Sequence, residues 1–281
     1  MNRLSIEERA RILTVLSEGA GINAACRITG ASKNTVLKLL ADVGRACALY
    51  QDQAMRNLRP MRLQLDEIWS FVGAKQKNVT SDHPEGYGDC YTFTAIDADT
   101  KLMPCWLVGA RTTASTDEFL ADLAARIVAD HRFQLTTDGF TSYPDAVERS
   151  FGPRVDYAIL SKKYGAEGPV VEAKRRYSPA PFQGATQVVV NGNPDKKHIS
   201  TSYVERANLS MRMNMRRFTR LTNAFSKKLE NHMHAISFYF MVYNFVKVHS
   251  SVRCSPAMAA GVATTLWTIE DIVMMSDTST A

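Results

Sequence analysis

Residues 63–73 read LQLDEIWSFVG, and the fold class follows from this stretch and its neighbours. Ile68, Trp69, Phe71 and Val72 are β-branched or aromatic, the residue types that suit a pleated, half-buried strand. Two adjacent acids interrupt the run, Asp66 and Glu67. A carboxylate in such a strand is costly to bury unless it is paired or bound to a cation. Strand side chains alternate between the faces of a sheet, so only one of the two acids is expected at a given site. Asp66 is the first candidate residue. Trp69 is expected in the core, where large aromatics most often lie.

Downstream, CYTFTAID (90–97) is a second strand, IDADTK a turn, and 102–108 a third strand, making an antiparallel hairpin. Asp99 reads as a turn residue, with Asp97 a minor ligand candidate. Residues 115–130 predict a helix capped by Ser115 or Thr116, with Asp117 and Glu118 in its first turn. FQLTTD (133–138) is a strand, 142–151 a helix and 155–160 a strand. Three strands followed by helix–strand–helix–strand predict an α/β architecture, a mixed five-stranded sheet flanked by helices. Asp138 lies at the C-terminal end of its strand, where ligand sites of such sheets collect, and is the second candidate.

Residues 164–200, rich in Gly, Pro, Gln and Asn, read as a surface loop or small insertion. Two helices follow, at about 202–218 and 226–248. On the first, Val204, Ala207, Met211, Met215 and Phe218 form an apolar stripe. The adjacent stripe carries Glu205, Asn208, Leu209, Arg212 and Arg216. A lone glutamate is usually solvated and salt-bridged. This one is the single acid among nine basic residues in 196–228, which makes Glu205 the third candidate. Upstream, helices are expected at 5–19, at 22–28 and from Ser32 or Lys33, with Thr29-Gly30-Ala31 as a turn. That is a helix-turn-helix arrangement presenting Lys33, Asn34, Thr35 and Lys38 to a DNA groove. A plain three-helix cap would use the same apolar positions. Arg59-Pro60 marks a boundary, giving segments 1–60, 61–250 and a 251–281 tail.

Among the 281 residues the net charge of +6 divides into +4 over 1–60, −6 over 61–161 and +8 over 196–228. A basic block invites a polyanion. No run of about 18 apolar residues exists to cross a membrane. The charged N-terminus and five scattered cysteines, with no C-x-x-C pair, fit a cytoplasmic protein. His198 reads as a solvated loop residue, His232 and His234 as structural, and His249 as structural or DNA-contacting. Three carboxylates from two strands and a helix have the hard oxygen donors that suit magnesium or manganese. Two such ions about 3.5–4 Å apart support in-line phosphoryl displacement.

The order LQLDEIWSFVGAK, LTTDGF, LSKKY and VERANLSMR, over about residues 62–248, resembles the DDE transposases of the IS1 family. YNFVKVHSSVRCSPAMAAG is similar to the tail of many transposases. The resemblance implies a ribonuclease-H-like sheet behind an all-α helix-turn-helix domain. It also implies that Asp66, Asp138 and Glu205 are catalytic metal ligands for Mg2+ or Mn2+, two ions in number. Arg212 and Arg216, with Lys162 and Lys163, would hold DNA phosphates. The implied activity is cleavage at transposon ends and strand transfer into target DNA, by a homo-oligomer on double-stranded DNA in the bacterial cytoplasm or nucleoid. A non-catalytic DNA-binding regulator, a domesticated transposase and a stand-alone nuclease are the alternatives. Two features depart from the family: no cysteine cluster for its usual zinc element, and about 40 residues between Lys163 and Glu205.

Overall fold

A computed structural model describes residues 4–165, 182–219 and 222–278 of the chain. Three helices come first: α1 (Ile6–Ser17), α2 (Ile22–Thr29) and α3 (Lys33–Ala54). Each starts where local chemistry allows. Ser5 and Glu8 form a reciprocal capping box on α1, and the Ser32 hydroxyl accepts from the Thr35 amide at 3.2 Å on α3. Gly30, at φ 77°, closes α2 in the left-handed conformation that glycine adopts without strain.

The sheet follows: β1 (Arg62–Val72), β2 (Gly88–Asp97), β3 (Trp106–Gly109), α4 (Thr113–Arg126), β4 (Phe133–Thr137), α5 (Tyr143–Phe151), β5 (Val155–Tyr164) and β6 (Phe182–Asn191). Its order is β3-β2-β1-β4-β5-β6. β1 pairs antiparallel with β2 and parallel with β4, β4 pairs parallel with β5, and β6 runs antiparallel along β5. The mixed α/β sheet flanked by helices is therefore as expected, with one strand added. The sixth strand falls in the segment read as a loop, because the uncharged run 187–190 zips onto the β5 edge.

Two further differences are local. The stretch 102–108 is strand only from Trp106. Pro104 has no amide to give a ladder, and the Asn244 side chain takes up both the Met103 amide and its carbonyl at 3.0 Å. Helix α4 starts two residues earlier than expected, because the Thr112 hydroxyl accepts from the Ser115 amide at 3.3 Å.

The remaining helices are α6 (Ser202–Asn214), α7 (Leu229–Met241), continued by a π-turn at Val242–Val246, then α8 (Pro256–Ala259) and α9 (Ile269–Thr278). Two apolar cores lie on the two faces of the sheet. On one, Leu63, Leu65, Phe93 and Leu135 meet Phe119 and Leu123 of α4 and Val147 of α5. On the other, Ile68 and Ile96 join Val204 and Met211 of α6, Ile236 and Phe240 of α7 and Ile272 of α9. Ile12, Leu13, Val36 and Val43 of the N-terminal helices belong to this same second core. The α3–α7 crossing is close enough that a Cβ on Gly44 would stand 2.4 Å from the His234 carbonyl oxygen. Arg9 of α1 clasps Asp277 of α9 through its two terminal guanidinium nitrogens, at 2.6 and 2.9 Å. Among the described residues no helix is long and apolar enough to cross a membrane.

Candidate active site

Strand register brings the first two acids together. Gln64 lies beside Thr136 in the parallel β1–β4 pair, so two residues on Asp66 comes level with Asp138, just past the end of β4. Gln64 also tethers the third element. Its side-chain oxygen accepts from the amides of Tyr203 and Val204, at 2.9 and 3.1 Å, satisfying the N-terminus of α6. Glu205 sits in the first turn of that helix. Asp66, Asp138 and Glu205 line one open cavity of about 620 Å3, together with Arg111, Ser161, Lys162 and Thr201.

Each carboxylate has a distinct setting. Asp66 accepts from the Asn208 amide group at Oδ2 and from the Glu67 backbone amide at Oδ1, both at 2.9 Å. Asn208 is itself held by the Thr94 hydroxyl at 3.2 Å. Burial pushes the Asp66 carboxyl up to about 6. The charge of Asp138 adds to this, and the two hydrogen bonds oppose it. Asp138 is more open, accepting from the Phe140 amide at 2.9 Å, with Arg111 Nη2 at 3.8 Å. Glu205 accepts from the Thr201 hydroxyl at 2.6 Å, and the Lys162 ammonium rests on both its oxygens.

Glu67 departs from the sequence reading. It does lie on the α4–α5 face, opposite Asp66, with Arg111 Nη2 at 3.2 Å from Oε2. Yet one oxygen each of Asp66, Glu67 and Asp138 lie within 4.8 Å of one another. The expectation that only one of the adjacent acids serves a given site is corrected by the length of β4. The β1–β4 ladder stops at Gln64 and Thr136, so beyond it both faces of β1 open onto the same gap at the strand end. Burial raises the Glu67 carboxyl to about 7. The Tyr143 hydroxyl opposes this, Asp138 adds to it, and Arg111 opposes it.

Three clustered carboxylates with a single half-exposed guanidinium between them are an oxygen-rich, net acidic donor set. This donor set fits a hard divalent cation such as Mg2+ or Mn2+.

The expected phosphate contacts divide. Arg212 lies on α6, half-buried, seven residues from Glu205 and therefore on the same helical face. Arg216 is exposed but not on that face, because α6 ends at Asn214 and a 3-10 turn carries it to the start of α2, beside Gly21. Lys162 is engaged by Glu205, and Lys163 is exposed on β5. Lys33, Asn34, Thr35 and Lys38 stand at the start of α3, with Lys38 paired to Asp42 at 2.6 Å. Asp97 and Asp99 serve the turn: Asp97 accepts from the Asp99 amide and the Thr100 hydroxyl, and Asp99 pairs with Arg62. His232 is buried between Ser70 and Ser226, and burial pushes its imidazole down to about 3. Trp69 is half-buried against Phe71 rather than in the core. Sequence reasoning missed Glu67 and Arg111. It quoted Asn208 without its role, though a position three residues after Glu205 on one helix face was a usable signal.

No protein-family model and no curated protein matches the chain. Among solved structures it is similar to a piggyBac transposase synaptic complex with hairpin DNA. The identity is 11% and the TM-score 0.41, over 99% of this chain and 71% of that one. It is also similar to a pre-cleavage Mos1 transpososome, at 12% identity and a TM-score of 0.25, over 56% of this chain and 60% of that one. A Mos1 mariner paired end complex with Mn gives 12% identity and a TM-score of 0.22, over 53% and 58% of the two chains.

Proposed function

We propose that this chain is a DNA transposase of an insertion sequence, a metal-dependent phosphoryl transferase that cleaves transposon ends and joins them to target DNA. The observation that carries this reading is the convergence of Asp66, Asp138 and Glu205 on one open cavity, from adjacent parallel strands and the helix packed on them. The strand order β3-β2-β1-β4-β5, with only β2 reversed among these five, supports the ribonuclease-H-like comparison. β3, antiparallel to β2, has the same sense as β1.

Mg2+ or Mn2+, two ions when loaded, would supply charge neutralisation for an in-line displacement at phosphorus. Asp66, Asp138 and Glu205 would hold them. Asn208 orients the Asp66 carboxylate, as hydrogen-bonded partners of metal ligands do. Lys162 and Arg111, both on the cavity wall, would take substrate phosphate oxygens, with Arg212 further along α6. The start of α3 would read transposon ends as the second helix of a helix-turn-helix, within a unit 1–60 that precedes a catalytic unit 61–250 and a tail 251–281. Double-stranded DNA is the partner, bound by a homo-oligomer in the bacterial cytoplasm. The IS1-like motifs remain the basis for the family assignment.

The Lys162–Glu205 ion pair favours a second reading, a DNA-binding protein without catalysis, because an ammonium already neutralises the third acid. One experiment separates the two. DNA bearing the sequences that flank the coding region is incubated with Mg2+ or Mn2+, and strand cleavage and joining to a plasmid are followed on gels. Cleavage by wild type that vanishes in D66N, D138N and E205Q, with DNA binding retained, supports the transposase. Cleavage undiminished in all three variants overturns it.

A further inference from the structure

A second concavity, of about 980 Å3, opens at the far end of α6 from Glu205, between the N-terminal helices and α7. Arg27 of α2 and Lys33 of α3 line it, facing Arg216 and Arg217 of the turn after α6. Lys227, Lys228 and Lys247 complete the basic lining, and Glu18 is its only acid among the described residues. Elsewhere in the molecule Arg9, Arg62, Arg126 and Arg132 each hold a carboxylate. Among the described residues none of the cleft's cations is in an ion pair.

Arg217 marks the cleft as more than a solvated face. It is largely buried, and burial pushes its guanidinium down to about 10 with no carboxylate to hold it up. A charge so costly to bury is ordinarily paired. Its Nη1 donates to the Ser226 hydroxyl at 2.9 Å. Ser226 is fixed in turn by His232 Nδ1 at 2.8 Å and by the Gly73 amide at the end of β1, which donates to its carbonyl at 2.8 Å. One end of the guanidinium is thus anchored, and its other N–H groups have no partner among the described residues.

We propose that this cleft is a second DNA site, which seats backbone phosphates of the same duplex whose scissile strand enters the carboxylate cavity. The proposal rests on the DNA-processing reading above and adds a place and a set of residues to it. Cations spread from α2 to the π-turn match a repeating polyanion better than one small anion. The cleft is continuous with both proposed DNA surfaces, since Lys33 belongs to the start of α3 and Asn214 ends the helix that carries Glu205. Nine residues of α6 separate Glu205 from Asn214, about 14 Å along the axis, which is the rise of about four base pairs. Arg217, preset by Ser226, meets a phosphate through its free donors.

The test is fluorescence anisotropy of a labelled DNA duplex with the full chain, in a chelator, from low to moderate salt. Wild type is compared with R217M, R217K and K227Q/K228Q, and circular dichroism checks each fold. R217M should bind about tenfold more weakly with a salt slope lower by about 0.9, and K227Q/K228Q should lower the slope by about 1.8. R217K keeps the charge and should stay within about threefold of wild type. Lys227 and Lys228 are exposed, so their double variant carries the test if R217M does not fold. R59Q/R149Q removes two exposed charges on the α4–α5 side and should change little. If it weakens binding as much as K227Q/K228Q does, the effect is one of bulk charge and the inference fails. Cleft variants that bind the duplex as wild type does also overturn it, with the DNA reading intact. Loss of poly-glutamate binding alone in those variants overturns it as well, and assigns the cleft to an acidic protein segment. A wild-type chain with no affinity for the duplex at low salt removes both readings.

Discussion

Replacing Asp66 by Asn should make the metal-free protein more stable at pH 8, although the residue is central to the site. The folded state holds the Asp66 carboxyl at about 6, against an ordinary 3.8, because burial and then the nearby Asp138 disfavour its charge. A group that binds its proton more tightly when folded contributes stability that is complete below pH 3.8 and is lost as pH rises through 6. At about 1.4 kcal/mol per pH unit, the loss by pH 8 is about 3 kcal/mol. Asn carries no charge and escapes it. Asn can, however, accept through only one oxygen, so it forfeits one of the two bonds from Asn208 and the Glu67 amide, about 1 kcal/mol. The balance is a gain of about 2 kcal/mol at pH 8, with the stability curves crossing at about pH 4.5 and wild type ahead below it. Urea unfolding followed by circular dichroism at pH 4, 6 and 8, in a chelator, measures this directly. Millimolar Mg2+ should narrow the gap at pH 8, since an ion held only by the folded wild-type site stabilises it. A D66N protein less stable than wild type at pH 8 refutes the picture of an ionised carboxylate confined at the strand end.

Three further outcomes follow from the geometry. Asn208→Ala leaves Asp66 Oδ2 without its donor, so above pH 6 it should destabilise the chain by about 2 kcal/mol and lower cleavage about 10–100-fold, read as kcat rather than KM. Lys162→Met should reduce the salt slope of DNA binding by about 0.9 if the ammonium meets a phosphate, measured by fluorescence anisotropy from low to moderate salt. An unchanged slope would leave Lys162 as only the partner of Glu205. Gly44→Ala drives a methyl group against the His234 carbonyl and should cost about 3 kcal/mol in urea unfolding, because the backbones at the α3–α7 crossing have no slack.

The elements were legible where local chemistry decides them. Alternating β-branched and aromatic residues mark β1 and β2, a helical apolar stripe marks α6, and Gly30 ends α2 as a left-handed glycine must. The positions of Asp66 within a strand and of Asp138 at the end of one were also readable, because period and turn residues are properties of the chain. Pairing was not. Nothing local says that 182–191 will close onto β5, or that the Asn244 side chain will occupy the Met103 backbone and keep 102–105 out of the sheet. Nor does the pattern of 1–60 reveal that its apolar faces enter the same core as α7 and α9, since an amphipathic stripe shows that it is buried and not against what.

The same division runs through LQLDEIWSFVG. Its sequence determined a strand with two acids on opposite faces, and the structure keeps both facts. Where β4 stops was a tertiary matter, settled by the ladder ending at Gln64 and Thr136. Past that point the sheet no longer separates its two faces, so Asp66 and Glu67 reach the same gap, and alternation along one strand ceases to decide which side chains meet.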